Sequence, residues 1–317
     1  MGNTLHAKLP EISNKIYEEL FTKAVLVPSC DRSYEGEFSL ENKEIDIPVY
    51  QDLSVHKTTL KESELKPAPA ERIKSSTIRV GIDKMRYTHW EKLNIESMVD
   101  DLLKQDSVVR QRLVNKWAED AEEELCSAIY GLPASRTLDM TTLLGTSNEV
   151  LSKSNITLFF DILKAKVKGK KLSPSDFKLF ASERIEGIAA EANMVFGAQP
   201  ASDTFKNGFV GLINQVDVRK HEAENILTRN ASTGLVEAEY AVWKTSDGIQ
   251  YVIPHKETSS YDLYEGDHLF GGKGFKTLQF YDFFNIYPDR LWKVKIQYKA
   301  NASFPTISAA AKFGTVK

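Results

Sequence analysis

The chain has 317 residues, 42% of them apolar and 27% charged, and a formal net charge of −3. This is the balance of a folded soluble protein. It excludes an intrinsically disordered chain and gives no global electrostatic pull toward nucleic acid, and the length allows two compact regions without requiring them.

Residues 1–43 read as an arm. Pro10 suits the opening of a helix. Ile12, Ile16, Leu20 and Ala24, with Tyr17 and Phe21, then form an apolar stripe at helical spacing. So short an amphipathic helix is marginal alone and is expected to dock on its own core or on a neighbour. Residues 29–43 are polar and turn-rich.

Residues 44–92 read as a two-armed extended ribbon. Ile45, Ile47 and Val49 alternate with Asp46, Pro48 and Tyr50. On the return arm Ile78, Val80 and Ile82 alternate with Arg79 and Asp83, then Met85, Tyr87 and His89 with Arg86, Thr88 and Trp90. Lys66-Pro67-Ala68-Pro69-Ala70 breaks regular structure between the arms. Two arms of ~15 residues would reach about 50 Å. An isolated two-stranded ribbon is at best marginally stable in water, so it needs its own body or another chain beneath it. From Ser54 to Lys92 the ribbon carries nine Lys and Arg against five Asp and Glu.

Residues 106–132 read as one long helix capped near Asp106-Ser107. Val109, Leu113, Trp117, Ala121 and Leu125 make its apolar stripe, widened by Val114, Ala118, Ala128 and Ile129, and Gly131 and Pro133 end it. Its ~26 residues make a rod of about 40 Å. Glu119, Asp120, Glu122, Glu123 and Glu124 sit in its C-terminal half, where the helix dipole disfavours negative charge.

Residues 134–153 read as loop. A second helix is expected from Ser154 or Asn155 to about Val167, ending in lysines that suit its dipole. Phe177, Leu179 and Ala181 read as a strand, and Ser182 as the cap of a helix through Val195. Strands are expected at Gly208–Ile213 and around Val216 and Val218. From Gly234 to Pro254 the pattern is β-rich around an Asp247-Gly248 hairpin turn. The last strand alternates Trp292, Val294, Ile296 and Tyr298 against Lys293, Lys295, Gln297 and Lys299. After Asp289 every charged residue is basic, and the plain reading is a strand paired with acidic neighbours. The whole is α+β without βαβ regularity.

Chemistry is hard to find. Gly266 to Lys273 is the nearest approach to a phosphate loop, but no GK[ST] follows and no helix opens on the glycines, so a turn between strands is expected. None of the six histidines forms HExxH or a close pair. His255, Asp267 and His268 are a remote candidate metal group. Cys30 and Cys126 form no CxxC pair and read as free thiols of a reducing compartment. The cluster Phe270, Phe275, Phe280, Tyr281, Phe283, Phe284, Tyr287 and Trp292 lacks an interleaved basic groove, which favours core or subunit interface over base stacking. No run approaches the ~18 apolar residues that span a bilayer, and the N-terminus lacks a signal core. His6 stands where a myristoylation signal wants Ser or Thr. The chain is expected to be kept in cytoplasm or packaged from it.

A basic ribbon beside an acidic rod suggests a subunit that completes itself on a copy of itself. The order of arm, extended loop, long helix, mixed α/β region and final long strand resembles the major capsid protein of tailed double-stranded DNA bacteriophages, the Hong Kong 97-type fold. Asn207-Gly208-Phe209-Val210-Gly211-Leu212-Ile213, followed by Val216-Asp217-Val218, looks like the segment by which such proteins enter a core strand. The resemblance implies an N-terminal arm (1–43), an extended loop (44–92), a peripheral domain (93–150 and 275–317) with spine helix 106–132, and an axial domain (151–274). It implies no enzyme activity, cofactor or metal. It implies pentamers and hexamers of an icosahedral shell around DNA in a virion assembled in host cytoplasm, with a portal and separate scaffolding or decoration proteins. In such a shell the loop lies on the next subunit's peripheral domain. Lys74, Arg79, Lys84 and Arg86 are then expected to face Glu119, Asp120, Glu122 and Glu123 across that contact. An encapsulin-like compartment and a metal-dependent enzyme using His255 and His268 are the alternatives.

Overall fold

A helix with one apolar stripe has to lay that stripe on something, and in this chain two such helices lie on each other. In the computed structural model, α1 (Gly2–Lys23) and α2 (Val108–Tyr130) pack together. Leu9, Ile12, Ile16 and Leu20 of α1 meet Leu113, Val114, Trp117, Ala121 and Leu125 of α2 in one apolar cluster. The described residues are 2–39, 41–50, 75–92, 107–145, 150–168, 177–192, 195–196, 209–213, 216–221, 224–244, 248–263 and 272–299. The helix expected to open at Pro10 runs through it. The proline removes one hydrogen bond and crowds the preceding turn, but burial of Leu9, Ile12 and Ile16 on both sides holds the helical path.

α2 begins where Ser107 accepts a hydrogen bond from the Arg110 amide at 3.3 Å. Its buried stripe follows the expected one except at the ends, where Val109 and Ala128 are exposed. Arg110 takes the buried place instead, with its Nε 2.8 Å from Glu19 of α1. Cys126 is buried in the same cluster, and Cys30, also buried, lies where the arm turns back. Burial pushes the Cys126 thiol up to about 12, which keeps it protonated and unreactive.

β1 (Glu44–Tyr50) and β2 (Ser75–Gly81) form the ribbon, in register from Glu44↔Gly81 to Tyr50↔Ser75. The return arm then divides. At Ile82-Asp83 the chain leaves the ribbon, and β3 (Lys84–Lys92) becomes an edge of a separate three-stranded sheet with β13 (Gly272–Phe284) and β12 (Gln250–Leu263). The described part of the ribbon is therefore seven residues per arm, about 23 Å. Its base is supported by its own body, since Ile45, Ile47 and Ile82 are buried with Phe38, Val252 and Ile286. The ribbon tip, residues 51–74, lies outside the described residues.

The largest sheet has nine strands. β14 (Leu291–Lys299) and β11 (Leu235–Lys244) are paired antiparallel within it, from Leu235↔Lys299 to Trp243↔Leu291. Around them lie β4 (Thr137–Asp139), β5 (Val150–Leu151), β6 (Phe177–Ala181), β7 (Val195–Phe196), β8 (Phe209–Ile213), β9 (Val216–Lys220) and β10 (Asn225–Asn230). Helices α4 (Ile156–Lys168) and α5 (Glu183–Glu191) cover one face with Ile156, Phe159, Phe160, Leu163, Ile185 and Ile188. Ala241, Trp243 and Leu291 join the cluster of α1 and α2 instead, so this end of the sheet and the long helix share a core. The expected division at 274/275 falls inside β13, and β14 lies in the nine-stranded sheet.

Several local readings are corrected. Residues 134–153 hold β4, the one-turn helix α3 (Met140–Leu143) and β5; Asp139 caps α3 through the Thr141 amide at 3.0 Å. Helix α5 stops at Glu191, and Val195 lies in β7. Ser182 holds the position before α5 but caps nothing; its hydroxyl lies 2.8 Å from Tyr240 and 3.2 Å from Glu224. The strands flanking Asp247-Gly248 belong to different sheets, so the turn is a crossing and no hairpin; Asp247 lies outside the described residues. The basic final strand is neutralised as expected, with Lys293 3.2 Å from Glu239, Lys295 on Glu237, and Asp139 3.8 Å from Lys295. Lys312 and Lys317 lie outside the described residues.

At Gly248 the backbone passes too close for a side chain. A Cβ there would collide with the Lys244 carbonyl oxygen and meet Trp243 Cβ at 3.0 Å. Gly248→Ala is expected to cost about 1–3 kcal/mol and to lower the calorimetric melting temperature by several degrees; an unchanged melting point would contradict the crossing. Native protein is expected to resist alkylation at Cys30 and Cys126, and both thiols should react fully in denaturant.

Candidate assembly interface

The charged residues of the ribbon side and of α2 meet, but within one chain. β3 lies along α2 with alternate side chains turned toward it. Trp117 Nε1 donates to Thr88 Oγ1 at 2.9 Å, and Arg86 Nε lies 2.6 Å from Asp120 Oδ2. The guanidinium of Arg86 sits 4.2 Å over the Tyr281 ring and 3.5 Å from Glu124, and its side chain is 6% exposed. Tyr281 donates to Glu124 at 2.7 Å. Burial and that acceptor raise the Tyr281 hydroxyl above its ordinary range. Lys84 stands 3.9 Å from Glu124 and 3.8 Å over the Phe283 ring.

Glu122 has a different task. Its Oε1 accepts from the amides of Val25 at 2.9 Å, Leu26 at 2.7 Å and Val27 at 3.3 Å, where the arm reverses after α1. Its Oε2 lies 2.7 Å from His221 Nε2, just beyond β9. One carboxylate thus ties the arm, the long helix and the large sheet. Both of its oxygens are engaged within the chain.

Among the eight expected contact residues, Arg86, Asp120 and Glu122 are therefore engaged in their own chain, because the sheet edge carrying Arg86 lies against α2 of the same subunit. Lys84 is half-buried beside Glu124. Arg79 is exposed on the ribbon and pairs with Asp46 at 2.9 Å. Glu119 and Glu123 are exposed on α2. Lys74 lies outside the described residues. Sequence reasoning missed Glu124 as a partner of Arg86, although its i,i+4 spacing from Asp120 puts both on one face. It missed His221 entirely; a lone histidine between strands carries no local signal.

Apolar surface stays open on the ribbon and on β3. On the ribbon, burial declines outward from Ile47 to Val49, and Ile78 is 36% exposed. On β3 the residues opposite Arg86 and Thr88 face away from α2, leaving Met85 at 47% and Tyr87 at 54% exposure, with His89 stacked on Tyr87. His255 lies near Phe280 and Glu257, while Asp267 and His268 lie outside the described residues. Among the described residues, no three His, Cys, Asp or Glu gather as metal ligands, and no helix is long and apolar enough to cross a membrane. Phe275, Phe280, Tyr281, Phe283, Phe284 and Tyr287 of the aromatic cluster are core or pack against it.

Arg86→Met would leave Asp120 without its cation beneath the helix and Glu124 with Lys84 alone. The expected loss is about 1–3 kcal/mol in urea unfolding, reduced from a fully buried pair by the exposure of Asp120. Glu119→Gln on the exposed face is expected to stay within about 0.5 kcal/mol of the parent.

No protein-family model matches the chain, and no curated protein matches it in sequence. Solved structures do match in fold. A protein of Mycobacterium phage Che8 aligns with a TM-score of 0.52 at 12% identity, over 86% of this chain and 91% of that one. The capsid of Ralstonia phage GP4 aligns with a TM-score of 0.52 at 10% identity, over 87% of each. The cyanophage Pam1 capsid aligns with a TM-score of 0.52 at 10% identity, over 82% and 86%. With its arm, ribbon, long helix, three-stranded sheet and large mixed sheet, the chain has the Hong Kong 97-type fold of phage capsid proteins.

Proposed function

We propose that this chain is a major capsid protein, a non-enzymatic subunit that assembles with copies of itself into pentamers and hexamers of an icosahedral shell around double-stranded DNA. The observation that carries the reading is the likeness to phage capsid structures over most of both chains. The ribbon supports it, because Ile78 stays 36% exposed beside its buried partner Ile47. In this reading the ribbon lies on the next subunit of a ring, a head-to-tail contact that closes on itself. Ile78 supplies apolar area there, and Arg79 and Lys74 supply charge. The arm with the ribbon forms the connecting part, α2 with the three-stranded sheet the peripheral part, and the nine-stranded sheet with its helices the axial part. A portal, and scaffolding or decoration proteins encoded separately, complete the particle, which assembles in host cytoplasm.

The test is expression of the chain alone and with its neighbouring genes, followed by negative-stain electron microscopy and nuclease-protected DNA measurement. Closed shells are expected, with DNA in particles from the phage context. A permanently monomeric product, or shells that enclose only protein, would overturn the reading. Within it, Ile78→Asp should block ring formation more strongly than Arg79→Glu, since a single exposed ion pair contributes only ~0–1 kcal/mol. Circular dichroism should show both variants folded.

A further inference from the structure

The solvent face of α2 is charged in an order that works against the helix that carries it. Arg112 and Lys116 stand exposed in its N-terminal half, and Glu119 and Glu123 stand exposed in its C-terminal half. Cations toward the N-terminus and carboxylates toward the C-terminus both oppose the helix dipole. Arg112 and Lys116 are also like charges four residues apart, as are Glu119 and Glu123, and such pairs destabilise a helix. The i,i+3 contact of Lys116 with Glu119, at 3.3 Å, relieves only the centre. Glu122, Glu124 and the exposed Asp120 of the acidic cluster are held by the arm, Tyr281 and Arg86, which leaves Glu119 and Glu123 as its exposed members that no other element holds among the described residues.

We propose that this face is a two-fold contact on which α2 of a second copy lies antiparallel. The residues Val108, Arg112, Lys116, Glu119, Glu123 and Ser127 recur at spacings of three and four, so they form one stripe along the helix. Turned end for end, the stripe is its own complement. Arg112 meets Glu123 of the partner subunit, Lys116 meets Glu119 of the partner subunit, and each pair occurs twice about the axis. Val108, 60% exposed, then falls beside Ser127 of the partner subunit, where the short side chain leaves room. The antiparallel arrangement also sets the two helix dipoles against each other favourably. A self-complementary patch is what a two-fold needs, whereas the ribbon makes a head-to-tail contact. The inference rests on the shell reading and assigns Glu119 and Glu123 to joining one ring to the next. Each pair is weak and exposed, so the contact is reversible and salt-sensitive, and it gains strength by repetition over the shell.

The test compares three variants of the full chain by native mass spectrometry and electron microscopy. Glu119→Lys with Glu123→Lys makes the stripe wholly basic, and Arg112→Glu with Lys116→Glu makes it wholly acidic. Each is expected to form rings but to give about a tenfold lower yield of closed shells. All four substitutions together reverse the stripe and restore complementarity, and they should return the yield to near the parent's. The parent's shell yield should also fall at ~1 M salt, where the screening length is ~3 Å. Normal shell yield from either double variant, or no recovery in the fourfold variant while both double variants fail, would overturn the two-fold contact. Absence of rings from the parent would overturn the shell reading itself.

Discussion

A single carboxylate decides how the parts of this subunit stand to one another. Glu122 projects from the middle of the long helix into the place where the arm reverses, and it satisfies three successive amides there. A reversal of this kind leaves backbone donors without partners, and an unpaired buried donor costs as much as a lost hydrogen bond. The same side chain reaches His221 at the end of a strand in the large sheet. Arm, helix and sheet are thereby set by one residue, and the apolar cluster that joins them forms around that arrangement.

Within the chain, the two charged elements meet at Arg86, Asp120 and Glu124. Arg86 fills the space between sheet and helix, bounded by Tyr281, Asp120 and Glu124. A buried cation between a sheet and a helix gives orientation more than stability, because its desolvation consumes most of its Coulombic gain.

Much of the architecture was legible from the chain. Helix α2 announced itself by a stripe running from Leu113 to Ile129, and β14 by its alternation with lysines that find Glu237 and Glu239. What failed to show had physical reasons. β4 and β5 are three and two residues long, too short for any period to register. The break at Ile82-Asp83 is invisible because Ile82 continues the alternation of Ile78 and Val80 and is buried in the same cluster as Ile45 and Ile47 of the ribbon. The pairing of Arg86 with Asp120 spans thirty-four positions of sequence, and no local pattern states which of two identical surfaces, the chain's own or a neighbour's, a charge will meet. For the same reason Glu119 and Glu123 could not be told from Asp120 and Glu122 until the helix had been placed.

Only Ile82 and Asp83 separate the last ribbon strand from the strand that carries Arg86. A displacement of the ribbon is consequently a torque on β3, and β3 grips the long helix through Arg86 and Thr88. A load on the ribbon therefore has only two residues to cross before it reaches the strand that touches the long helix, and one of the two is a buried isoleucine.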